Sequence, residues 1–143
     1  MILVDTNVLL YARVGSLPQN IRARGWLDGR INEGGGVAMP WPSLLGFARV
    51  ATNRRIFERP LSAEAAWMQV RDWLSAPSVW IPSPGDRHAD ILGDLILQNQ
   101  AVDKLIPDAH LAALAIEHGL RLCSTDGDFG RFRGLQWENP LLA

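Results

Sequence analysis

Short apolar runs alternate with longer amphipathic stretches along the chain, and this alternation constrains the fold more than any other feature. Met1–Val4 is a continuous apolar run closed by the polar Asp5-Thr6-Asn7, as expected of a strand buried on both faces. Val37–Met39, Val79–Ile81 and Leu120–Ser124 repeat the pattern, and Leu135–Trp137 offers a short edge strand. Helical stretches lie between them. The first is Val8–Ala12. The second is opened by Pro18, runs to about Asn32 and is ended by the triple glycine Gly34–Gly36. A third has Pro42 in its first turn and runs to Ala51, with Asn53 as a stop signal. Ser62 caps Ala63–Ser75, with Glu64 in its first turn. Asp86–Gln98 follows, and a last helix starts at Pro107 or Asp108 and ends at His118 before Gly119. Strands separated by helices imply right-handed crossovers. The expected class is α/β, a central, mostly parallel β-sheet flanked by helices on both faces. At 143 residues, with no repeat, linker or low-complexity tract, residues 1–143 read as a single domain.

Composition removes several classes of function. A formal charge of −1 argues against nucleic-acid binding through bulk electrostatics and leaves room only for a local site. The single cysteine, Cys123, excludes an internal disulfide framework and an all-cysteine zinc site, and its apolar strand makes it an inert core thiol. No apolar run approaches the roughly 18–20 residues that span a bilayer. The N-terminus lacks a basic segment and a cleavage site of the secretory type, so a cytoplasmic protein with no membrane association is expected. All but Lys104 of the 14 basic residues are Arg, which reads as coding bias. The six Trp read as core or subunit-interface residues, with Trp26 and Trp41 as groove or dimer candidates.

The acids acquire a shared address from the fold class. In open parallel sheets, ligands bind beyond the C-terminal ends of the strands. Asp5 follows the first strand directly, and Asp126 and Asp128 follow the fourth. Asp108 opens the helix that feeds the fourth strand. If the first and fourth strands are neighbours, these acids meet on one rim. Each alone has a plainer reading: Asp5 as a helix cap, Asp126-Gly127-Asp128 as turn chemistry. Together they repel one another unless protonated or neutralised by a cation. Oxygen-only donors select Mg²⁺ or Mn²⁺, and a hard cation held this way supports phosphodiester hydrolysis. The Ala109–Ile116 stretch is apolar nearly all round, so its helix should be buried and fix the direction of Asp108.

These residues also resemble a known family. MILVDTNVLLYA at the start, FARVATNRRIFERPLS in the middle and PDAHLAALAIEHGLRLCSTDGDFGRF near the end are similar to the PIN domain. The closest likeness is to VapC-type ribonuclease toxins of bacterial toxin–antitoxin modules. The resemblance covers nearly the whole chain in the expected order. It implies a parallel α/β fold, an acidic Mg²⁺ or Mn²⁺ site, RNA as substrate, a cognate VapB-type antitoxin and a homodimer. It implies catalytic roles for Asp5, Asp108, Asp126 and Asp128, with Asp5, Asp108 and Asp126 as metal ligands. Asn7 and Thr125 match small polar positions that orient the carboxylates.

One departure stands out. The family commonly has a glutamate in the helix after the second strand, where this chain reads Pro42-Ser43-Leu44-Leu45-Gly46-Phe47-Ala48-Arg49. Gly46 aligns with that acid. A one-metal site is therefore expected, or a second cation held only when RNA phosphate supplies ligands. Glu33, Asp103 and Glu117 are the conceivable substitutes. Arg49 supports the site by pairing with a carboxylate or a phosphate, or else serves as a structural salt bridge. Arg54, Arg55, Arg59, Arg131 and Arg133 are candidate phosphate contacts, with a solvated surface as the plain alternative. His110 points away from Asp108, His88 reads as surface, and His118 suits the negative end of its helix. Asp86, Asp90 and Asp94 form a solvated stripe.

Two other readings compete with a metal-dependent ribonuclease toxin. The missing glutamate suits a degenerate PIN module that binds RNA or protein without cleaving. A phosphotransfer domain with nucleophilic Asp5 would want a second acid two residues on and a well-placed Lys, but Asn7 stands there and Lys104 is the sole lysine.

Overall fold

The computed structural model describes residues 1–142. The chain runs β1 (Ile2–Val4), α1 (Thr6–Arg13), α2 (Asn20–Glu33), β2 (Val37–Ala38), α3 (Trp41–Ala51), α4 (Ala63–Ser75), β3 (Val79–Trp80), α5 (His88–Asn99), α6 (Leu105–His118) and β4 (Arg121–Cys123). A 3-10 turn, Gly127–Arg131, and β5 (Trp137–Glu138) complete it. The strands form one five-stranded sheet in the order β3-β2-β1-β4-β5. Every pairing is parallel, including that of the edge strand β5, so the expected mostly parallel sheet is wholly parallel.

Side chains along a strand alternate between faces, and that alternation divides the core. Ile2 and Val4 point into one cluster with Val8 and Leu9 of α1, Leu27 of α2, Phe47 of α3 and Val70 and Trp73 of α4. Leu3 points into the other, with Leu95 of α5, Ala109, Leu111 and Leu114 of α6, and Phe129 and Phe132. Helices thus cover both faces, as the apolar strand runs require.

Four helix starts differ from the sequence expectation, the first being α1, which begins at Thr6, two residues before Val8, because Asp5 caps it. Helix α2 begins at Asn20, after Pro18, and α5 begins at His88, after Asp86. Helix α6 begins at Leu105, so Pro107 lies inside its first turn instead of marking its start. A proline costs nothing there, because the first-turn N–H groups have no intrahelical acceptor. The shift carries Lys104 to the N-cap and leaves Asp108 one turn into the helix. The Asp126-Gly127-Asp128 turn opens the 3-10 segment, with Asp126 Oδ1 accepting from the Asp128 N–H at 2.9 Å.

The chain builds β1, β2 and β3 outward in one direction and then returns to lay β4 against the other side of β1. The strand order therefore reverses between β1 and β4, and a crevice opens beyond their C-terminal ends. The register Val4↔Cys123 makes Asp5 and Ser124 the first residues past the sheet on neighbouring strands.

Candidate active site

That crevice is a cavity of about 550 Å³ lined by Asp5, Asn7, Gly46, Arg49, Lys104, Asp108 and Asp126 among others. Asp5 is held on all sides. Its N–H donates to the Cys123 carbonyl at 3.0 Å, continuing the β1–β4 ladder by one bond. Asp5 Oδ1 accepts from the Thr6 N–H at 2.8 Å, which caps α1. Asp5 Oδ2 accepts from Ser124 Oγ at 2.8 Å and from Asn7 Nδ2 at 3.3 Å. Burial pushes the Asp5 carboxyl above its usual range, against the bonds from Ser124 and Thr6 that favour the ionised form.

Asn7 and Ser124 tie the two strand ends together. Asn7 Nδ2 also donates to Ser124 Oγ at 3.1 Å, and Asn7 Oδ1 accepts from the Thr125 N–H at 3.2 Å. Ser124 Oγ accepts in addition from the Asp126 N–H at 3.0 Å. Thr125 thus enters the site through its backbone, and the hydroxyl on Asp5 belongs to Ser124. Ser124 is fully buried, and its only sequence signal was its place at the end of an apolar strand beside Asp5.

Asp108 arrives from α6. Its Oδ2 is buried with no hydrogen-bond partner among the described residues. Burial pushes its pKa up from the ordinary 3.8 to about 6, Lys104 opposing and Asp126, Asp5 and Asp128 adding to the rise. Asp126 differs. Burial disfavours its charge, but the Lys104 ammonium and the Asp128 N–H prevail and hold it below the usual carboxylate range.

Lys104 is the residue that sequence reasoning passed over. Its Nζ donates to Asp126 Oδ2 at 2.6 Å and lies 3.6 Å from Asp128 Oδ2 and 3.7 Å from Asp108 Oδ2. Arg131 reaches only Asp128, at 3.4 Å, on the exposed rim. Two signals could have found Lys104: it is the lone lysine, and it stands four residues before Asp108.

The remaining expectations divide. Arg49 is exposed, lines the cavity wall and makes no ion pair with the four acids among the described residues. Glu33 pairs with Arg30 at 3.6 Å, and Glu117 accepts from the Gly85 and Arg87 N–H groups at 2.8 and 2.9 Å, so both are engaged elsewhere. Gly46 does face the cavity, but a Cβ there would meet Thr6 Oγ1 at 2.4 Å. His110 turns away from Asp108 and meets His88 Nε2 at 3.0 Å through Nδ1. His88, expected at the surface, is buried, because its ring turns inward against α6.

The donor set is all oxygen, and a buried carboxylate oxygen without a partner is what a hard divalent cation completes. Among the described residues no three acidic, His or Cys side chains close into a finished ligand set. An ammonium stands among them instead. The chemistry of the donors therefore fits an ion of the Mg²⁺ or Mn²⁺ type.

The PIN domain family model matches residues 2–135. The chain is 46% identical over 140 residues to the ribonuclease VapC37 of Mycobacterium tuberculosis, covering 98% of this chain and 97% of that protein. It is 39% identical over 141 residues to the ribonuclease VapC33 of the same species, covering 99% of each. The fold is similar to a chain in the crystal structure of VapBC2 from Rickettsia felis bound to a DNA fragment from its promoter. That match has a TM-score of 0.68 and 18% identity over 97% of this chain and 98% of that one.

Proposed function

The chain belongs to the PIN domain family, and from that premise we propose that it is a VapC-type ribonuclease toxin that hydrolyses RNA phosphodiester bonds with a divalent ion held at the acidic crevice. The observation that carries the reading is the meeting of Asp5, Asp108 and Asp126 in one cavity at the strand-order reversal, with Asp128 on its rim. Asp5, Asp108 and Asp126 would hold the ion, and Asp128 would complete the site directly or through water. When bound, an Mg²⁺ or Mn²⁺ ion acidifies water and neutralises phosphate charge.

The protein's own groups do the rest. Ser124, Asn7 and the Thr6 N–H fix both oxygens of Asp5, so that carboxylate cannot turn away. The buried helix α6 fixes the backbone from which Asp108 projects, without hydrogen bonds to its carboxylate such as Asp5 receives. Exposed Arg54, Arg55, Arg59 and Arg133 stand ready for backbone phosphates without reading sequence. A side chain at Gly46 would meet Thr6, so α3 adds no acid to these four, which suits a one-metal site. Among the described residues, no helix is long and apolar enough to cross a membrane. We assign the protein to the cytoplasm, with a small VapB-type antitoxin as partner and a homodimer as its state. The exposed Trp41 and Trp67, stacked with ring centroids 6.5 Å apart, are the surface we assign to protein contact.

The test is cleavage of an RNA panel by purified protein with and without Mn²⁺ or Mg²⁺. Wild type should cut only with metal, and Asp5→Asn and Asp108→Asn should not cut. Equal cleavage by wild type and both variants would sink the proposal. Retained RNA affinity with no cleavage by wild type would point to the non-cleaving module instead.

A further inference from the structure

We infer that the Lys104 ammonium is a tethered counter-cation that holds the divalent ion's place among the acids and must withdraw before that ion binds. The lysine therefore sets the protein's metal affinity. The inference rests on the reading of the acidic crevice as a metal site.

The geometry is that of a stand-in that fits incompletely. Nζ approaches carboxylates from two separate elements, Asp108 on α6 and Asp126 and Asp128 at the 3-10 turn. Only one contact, 2.6 Å to Asp126 Oδ2, is a hydrogen bond, and the other two are 3.6 and 3.7 Å long. Asp108 Oδ2 faces this ammonium and still lacks a hydrogen bond. A monovalent ammonium carries three directional donors, whereas a hard divalent ion draws in oxygens from all sides. The ammonium therefore relieves the repulsion among the acids without satisfying them.

The lysine is also placed to leave. Its side chain is 64% exposed, so withdrawal into water meets no packing. Its stem starts from a shaped loop: Asp103, just before it, has φ of +53°, a left-handed conformation at a non-glycine residue. Arg131 is no substitute, since it meets only Asp128, at 3.4 Å.

Two unlike cations cannot share a site a few ångströms across, so metal binding and ammonium placement exclude one another. Because Lys104 is the only lysine, its side-chain signal in ¹⁵N-labelled protein is unambiguous. In metal-free protein this NH₃⁺ signal should be displaced from the position of a free lysine by its contacts with the carboxylates. Added Mg²⁺ should move it to the position of a free lysine, with the same midpoint as the amide shifts of Asp126 and Asp128. Direct Mn²⁺ binding, followed by electron paramagnetic resonance, gives the second readout. K104M should bind Mn²⁺ about tenfold more tightly than wild type, the effect of removing a cation at contact distance. R131M removes a charge from the rim and should change affinity by less than about threefold, as expected of a screened neighbour.

The inference is overturned if the Nζ signal is unmoved at Mg²⁺ saturation, if K104M gains no affinity, or if R131M gains as much. These outcomes leave the metal site standing, provided Asp108→Asn abolishes Mn²⁺ binding. Failure of wild type and K104M alike to bind Mn²⁺ overturns both readings together.

Discussion

At the start of α6, Asp108 faces Asp5, Asp126 and Asp128 across an open crevice, with one buried oxygen that has no hydrogen-bond partner among the described residues. Two residues on, His110 turns the other way and closes on His88, at 3.0 Å. At its next-to-last residue the same helix carries Glu117, which accepts two N–H groups from the loop before α5 and lies 4.0 Å from His88 Nδ1. His118 closes the group by donating to the Ser83 carbonyl at 2.8 Å. Both clusters are polar and partly buried. The histidine cluster fastens α5 to α6 through the His88–His110 contact and the Glu117 bonds, and leaves His88 Nδ1 without a hydrogen bond but beside the Glu117 carboxylate. The acidic cluster gathers like charges, with a lysine to calm them and one oxygen left over. Each cluster leaves one buried polar atom without a hydrogen bond, so the contrast teaches that chemistry is to be sought where like charges are crowded together, not merely where a partner is missing.

The sharpest way to break this contrast is at Asp108. Asp108→Asn should lower metal-dependent RNA cleavage by at least about 100-fold. It should also raise the urea midpoint at neutral pH, because a crowded buried charge is removed. A variant that loses stability together with activity would make Asp108 a structural residue like those of the histidine cluster.

A second test asks whether the open crevice is loosely built. A Cβ at Gly46 would meet Thr6 Oγ1, which itself donates to the Ser43 carbonyl at 3.2 Å. Gly46→Ala should therefore destabilise by about 1–3 kcal/mol in urea denaturation. No loss of stability would mean that the helices there yield freely.

The histidine cluster should behave in the opposite way to Asp108. His88→Ala is expected to cost about 1–2 kcal/mol, since it leaves His110 Nδ1 without its partner. Cleavage per folded molecule should stay within about twofold of wild type, as for a substitution away from the site. A large loss of rate would join the two clusters functionally.

The smallest effect is the slope of stability with pH, and its sign separates the regions. Asp108 titrates at about 6 when folded against an ordinary 3.8. The folded chain thus keeps a proton that the unfolded chain has released. Stability from this group is present at low pH and is lost as pH rises through about 6. His110 is held below its ordinary 6.5 by burial and by the nearby His88. There the unfolded chain takes up the proton first, so stability is present above 6.5 and falls as the solution is acidified. Urea midpoints measured across the acidic range should therefore shift in opposite senses for Asp108→Asn and His110→Phe.

Asp5 was legible because an apolar strand run that ends in an acid has one meaning in a parallel sheet. Asp108 was legible because its helix is apolar nearly all round and has to be buried. Lys104 was not, because Pro107 suggested a helix start and hid the one-turn spacing between Lys104 and Asp108. Ser124 was passed over because its hydroxyl matters only through the β1–β4 register, which no single strand reveals. His88 was misplaced for a related reason. Its burial depends on how α5 lies against α6, and one histidine in a half-polar stretch carries no trace of that.

The contact between Thr6 and Gly46 also bears on how such a site can change by descent. Any side chain at position 46 has to displace Thr6, so a fifth acid from α3 would need the two helices to part or the Thr6 side chain to turn. Its arrival would therefore reshape the packing beneath the site as well as add a ligand.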